Sequence, residues 1–178
     1  MKRFLTNILL FLMTTIMAIA ANFEKPAILT SVGQSADVQM VKALLKKAGI
    51  EAEFNNNLTA QDLKGEKTLI LAIGGSSKGL GSAGIKTEDE LARTEKLIKE
   101  AREKNIKIIG LHVGGEARRG ELSDKFVYAA APYVDYLIVV EDGNKDGAFT
   151  KLSQEKNIKL DLVPKITSAV EPLKKAFE

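Results

Sequence analysis

Apolar residues in this chain gather into short continuous runs. Ala27–Val32, Thr68–Ile73, residues 106–113 and Tyr136–Val140 are each almost wholly apolar and rich in β-branched side chains. Such runs predict strands buried on both faces of a parallel sheet. Between them the spacing changes to that of a helix. Val38, Val41, Leu45 and Ala48 recur along one helical face, with Ser35 and Asp37 as N-cap and first-turn acid and Gly49 as the stop before a strand over residues 51–54. Thr87 and Glu90 have the spacing of a capping box opening a helix over 88–104. Its solvated side carries Glu95 with Lys99 and Glu100 with Lys104, pairs four apart that favour solubility. A helix over 122–131 ends against Pro132. Residues 147–156 read as helical and 158–163 as a short edge strand. Ser168 and Glu171 fit a second capping box, with Pro172 in the first turn of a closing helix. The alternation predicts one α/β domain: a three-layer sandwich whose doubly wound, mostly parallel sheet has five strands, or six if the edge strand pairs.

The first twenty residues read differently. Lys2 and Arg3 precede a 13-residue apolar run that ends in Ala18-Ile19-Ala20, the pattern of a cleaved secretory signal peptide. The run is shorter than a membrane-spanning helix needs. The expected product is residues 21–178, exported to the periplasm or secreted by a bacterium, without a permanent membrane anchor and with a membrane partner left open. With Lys2 and Arg3 subtracted, the 26 basic residues become 24 against 23 acidic ones, so the basic character argues little for nucleic acid. The chain contains no cysteine, which excludes disulfides, thiol catalysis and an N-terminal lipid anchor on cysteine.

Candidate chemistry lies where strands open into loops. Gly74, Gly75, Ser76, Ser77 and Lys78 follow the Thr68–Ile73 run, Gly33, Gln34 and Ser35 the Ala27–Val32 run, and Gly114, Gly115 and Arg118 the 106–113 run. Ligands of open α/β sheets bind beyond the carboxyl ends of strands, where crossovers diverge. The 74–78 segment therefore reads as a cradle in which backbone N–H groups, hydroxyls and an ammonium face a small anion. On that reading Gly75→Val damages binding more than stability. Gly79, Gly81 and Gly84 match G-x-G-x-x-G, yet they lie too far beyond the strand for a dinucleotide turn, and Lys78 precedes its glycine where a P-loop lysine follows. NAD is thereby disfavoured. A flavin is disfavoured because the first loop has few hydroxyls to hold a phosphate.

His112, the only histidine, lies at the end of the 106–113 run and is a candidate general base for Ser76 or Ser77, with Glu141 or Asp142 to orient it. Arg118 and Arg119 have the chemistry to clamp an anion. Asp142, Asn144 and Asp146 followed by Gly147 open like a calcium loop, but Ser153 stands where the bidentate glutamate belongs. Asn57-Leu58-Thr59 is a glycosylation sequon whose meaning depends on the host.

The mature region, most specifically GGSSKGLGSAGIKTEDELART, resembles a family of small exported bacterial proteins classed as a domain of unknown function. The resemblance implies an envelope address and assigns no catalytic residue. The arrangement is also similar to flavodoxin-like, Rossmann-like folds. Three readings remain: a binding module for a small anionic metabolite, an envelope hydrolase built on Ser76 or Ser77 with His112, and an interaction protein without a small ligand.

Overall fold

A computed structural model describes residues 22–178; the predicted signal peptide lies outside them. Six strands form one sheet: β1 (Ala27–Val32), β2 (Ala52–Phe54), β3 (Thr68–Ile73), β4 (Lys107–His112), β5 (Tyr136–Val140) and β6 (Lys159–Val163). Every pairing is parallel and the order is β2-β1-β3-β4-β5-β6. The first five follow the flavodoxin-like order, with the direction of winding reversing between β1 and β3. The region 158–163 does pair, as the edge strand.

Helices cover both faces because each parallel connection must cross over the sheet. On one face α1 (Asp37–Lys47) and α6 (Val170–Ala176) pack Val41, Leu44, Leu45 and Leu173 against Leu29, Ile70, Ile109 and Ile138. On the other lie α2 (Ser77–Ala83), α3 (Thr87–Glu103), α4 (Glu121–Ala130) and α5 (Ala148–Lys156), with Leu97, Phe126 and Phe149 against Leu69, Leu71, Ile108 and Leu137. β1, β3 and β5 are buried along their whole length, which is why they read as unbroken apolar runs.

Local details depart from the sequence reading. Residues 77–83, expected as loop, form α2: Ser76 caps it by accepting from the Gly79 N–H at 3.1 Å, and Gly84 ends it in the left-handed region. Glycine and serine content suggested a loop, but one hydroxyl cap and one left-handed stop suffice for two turns of helix. Neither predicted capping box forms. Lys86 occupies the N-cap of α3, a 3-10 turn over Ile166–Ala169 leads into α6, and neither helix has a side-chain cap. On α3 Lys104 does pair with Glu100, at 3.2 Å, while Lys99 pairs with Glu103.

Candidate functional site at the carboxyl edge of the sheet

Because all strands run one way, the segments after β1, β3, β4 and β5 leave the same edge. An antiparallel bridge between Gln34 and Gly75 ties the first two together at the winding reversal. Two ion pairs flank this junction.

The first is closed. Glu90 of α3 is fully buried; its carboxylate accepts from the Gly33 N–H at 2.9 Å, from Gln34 Nε2 at 3.2 Å and from Arg93 at 2.7 and 2.8 Å. Arg93 also donates to the carbonyls of Leu58 and Ser31, each at 2.6 Å. Gln34 holds a left-handed backbone (φ 56°), and its amide exchanges hydrogen bonds with Asn56 and Asn57 of the segment after β2. Nearly every donor and acceptor of this cluster is occupied within the fold. Sequence reasoning assigned Glu90 to a helix cap, although Glu90, Thr94, Leu97 and Ala101 share one helical stripe and all four are buried.

The second pair is open. Asp37, the first residue of α1, is 4 % exposed, and its two carboxylate oxygens lie 3.1 and 3.2 Å from Arg118 Nε. Ser35 Oγ accepts from the Asp37 N–H at 3.0 Å and from Arg118 Nε at 3.3 Å. Ser123 Oγ donates to the Arg118 carbonyl and accepts from the Gly75 N–H. The arginine is therefore fixed at its backbone and at Nε. Among the described residues, none accepts from its two terminal nitrogens, and its side chain is 30 % exposed. Gly114 makes room for the pair: a Cβ there would run into Arg118 Cγ and Asp37 Oδ2, whereas one on Gly74 would lie at ordinary contact distance, 3.4 Å, from that same oxygen.

Three backbone N–H groups of the 74–78 segment are engaged within the fold. The N–H of Gly74 donates to the Val32 carbonyl, that of Gly75 to Ser123 Oγ and that of Ser76 to the Gly33 carbonyl, each at 2.9 Å. Ser77 and Lys78 are exposed. Gly75 has an ordinary negative-φ backbone and is packed against α4, where a Cβ would lie 2.9 Å from Ser123 Cα and 3.0 Å from Phe126. The expectation that Gly75→Val affects binding more than stability is thereby corrected: the first consequence of that substitution is steric.

His112 is buried, with Nδ1 3.0 Å from the Ile73 carbonyl, Nε2 3.3 Å from that of Gly115, and its ring 5.0 Å from that of Phe149. Burial lowers its pKa below the usual histidine value, against a raising contribution from the two carbonyls. The structure does not bring it to Ser76 or Ser77, and Ser76 Oγ serves as the α2 cap. Arg119 differs from its neighbour: it donates to Asp124, Asp146 and the Gly143 carbonyl and lies over the Phe149 ring. Hydrogen bonds to Asp146 and Asp124 raise its pKa, and hydrogen bonding to Arg119 lowers that of Asp146 to about 2.

The calcium-like segment is also drawn apart. Asp146 faces Arg119, Asn144 accepts from the N–H groups of Phe149 and Thr150 at the start of α5, and Asp142 lies against Gly115. Among the described residues no group of three or more His, Cys, Asp or Glu side chains could hold a metal, and no helix is long and apolar enough to cross a membrane.

Residues 24–177 match the family described as a domain of unknown function, DUF6305, and the chain belongs to that family. No curated sequence matches it. Solved structures with a related layout include a G-D-S-L family protein from Desulfitobacterium hafniense, described as lipolytic, at 14 % identity, covering 78 % of this chain and 76 % of the other with a TM-score of 0.36. The psychrotrophic esterase EstA from Pseudoalteromonas sp. is 11 % identical over 85 % and 94 %, TM-score 0.32. The SGNH-hydrolase family esterase AlinE4 is 14 % identical over 84 % and 79 %, TM-score 0.33. Likeness at this level carries no argument about activity.

Proposed function

We propose that this DUF6305 protein binds a small anionic metabolite at the carboxyl edge of its sheet, with Arg118 as the anchor. The observation that carries the reading is the partly occupied guanidinium: Nε is held by buried Asp37 and by Ser35, while the terminal nitrogens have no partner among the described residues. A guanidinium fixed at one nitrogen has already lost much of its rotamer freedom, so an incoming anion meets an ordered fork of donors. Its position beside the β1/β3 reversal is where open α/β sheets receive ligands. The neighbouring Gly33, Gln34, Gly74 and Gly75 support this reading as scaffold.

The test is a thermal-shift screen of the purified protein and its Arg118→Gln variant against carboxylates, phosphates and nucleosides. At least one anion should raise the midpoint of the parent and leave the variant unmoved. Equal shifts in both proteins, or none in either, would remove the reading.

We also propose export with cleavage after Ala20, supported by the apolar run and small-residue site at the N-terminus. Mass spectrometry of the native protein should find Ala21 first; an intact Met1 to Ala20 segment would contradict it.

A further inference from the structure

Resting on the reading just given, we infer that the Arg118 site selects singly charged carboxylates over doubly charged phosphate esters. The ground is the carboxylate already bound to the guanidinium. Asp37 lies against Arg118 Nε at 3.1 Å with its side chain 6 % exposed, so the pair presents no net charge to a ligand. Asp37 is also the acid in the first turn of α1, where it offsets the positive end of that helix. Arg119, the next cation along the chain, is held by Asp124 and Asp146. Lys145, in the segment after β5, is paired with Glu116.

An anion at the Arg118 terminal nitrogens is attracted by the guanidinium and repelled by the carboxylate behind it. Going from one negative charge to two doubles both contributions, so the net attraction grows only linearly. The cost of withdrawing the ligand from water grows as the square of its charge, as Born solvation requires. With the cation largely offset by its own counter-ion, the quadratic cost dominates. A planar carboxylate, moreover, matches the two outward nitrogens in the side-by-side geometry that guanidinium favours. The pair thus offers donors for one carboxylate, and its single cation, already matched by Asp37, leaves nothing in it to balance a further charge.

Benzoate and phenyl phosphate provide the test, because they share a ring and at pH 8 carry one and two negative charges. Each is titrated into the full protein, its Arg118→Gln variant and its Asp37→Asn variant, with binding followed by side-chain and backbone NMR shifts. Benzoate should bind the parent at least about tenfold more tightly than phenyl phosphate, and Arg118→Gln should abolish both. In Asp37→Asn the guanidinium regains its net charge, and the ratio should fall towards unity. Phenyl phosphate binding as tightly as benzoate, with Arg118→Gln still abolishing both, would overturn the selectivity and leave the Arg118 site standing. Binding of either probe unaffected by Arg118→Gln, or no saturable shift around Arg118, would remove the site and the selectivity with it.

Discussion

Two arginine–carboxylate pairs sit at the same edge of the sheet and differ in what they leave undone. Glu90 and Arg93 are enclosed, and their hydrogen bonds go to the β1 turn and to the segment after β2. Asp37 and Arg118 share the same chemistry, yet two guanidinium nitrogens remain without a partner among the described residues. The contrast separates two uses of an ion pair. Where nearly every donor is met within the fold, the pair fixes backbone, here Gln34 in its left-handed conformation. Where some are unmet and partly exposed, the pair orders a donor for something outside. The adjacent Arg118 and Arg119 repeat the distinction within two residues, since Arg119 is held by Asp124 and Asp146.

The contrast breaks most sharply if the closed pair proves dispensable. Glu90→Ala leaves Arg93, 12 % exposed, without its counter-charge, and should cost about 3–5 kcal/mol in urea unfolding; a loss below about 1 kcal/mol would show that the cluster does not hold the turn. Gly75→Val should come next. Its side chain meets the backbone of Ser123 and the ring of Phe126, so a loss of about 1–3 kcal/mol is expected from overpacking, visible as a lower urea midpoint with no ligand present.

His112 sharpens the comparison by pH. Its folded pKa lies below the unfolded value of 6.5 because burial disfavours the imidazolium. The unfolded chain therefore binds more protons below that pH, and the contribution of His112 to stability is complete above about pH 6.5 and declines as pH falls through it, by up to about 1.4 kcal/mol per pH unit. Urea midpoints between pH 7.5 and 5.5 should fall more steeply in the parent than in His112→Gln; parallel curves would show that this burial does not control the titration. The smallest effect on stability belongs to Arg118→Gln. It leaves the Asp37 carboxylate buried without its counter-charge, on the solvent side of a pair whose arginine is 30 % exposed, so the loss should be about 1–2 kcal/mol, and a loss as large as that of Glu90→Ala would reassign Arg118 to the scaffold.

Strand positions were legible because burial on both faces leaves continuous apolar runs, and the Gly-rich segments after them leave one shared edge of the sheet, as their place after parallel strands requires. What those segments do was not legible. Whether the Gly75 N–H faces a ligand or Ser123 Oγ depends on a contact across 48 residues, and no local pattern encodes it. The helix at 77–83 was hidden by composition, since glycine and serine content does not show that Ser76 caps and Gly84 stops. Glu90 was partly legible: its stripe with Thr94, Leu97 and Ala101 pointed inward, but the Thr87 spacing suggested a cap. The open fork of Arg118 emerged only once Asp37, 81 residues away in sequence, was seen to take Nε.

The most direct test of the central claim is the nitrogen-15 spectrum of the arginine side chains during a titration with benzoate. The guanidinium signals of Arg118 should move saturably while those of Arg93 and Arg119, whose nitrogens are already met within the fold, stay in place. Uniform small shifts of all three, or a saturable shift at Arg119 with Arg118 unmoved, would contradict the account.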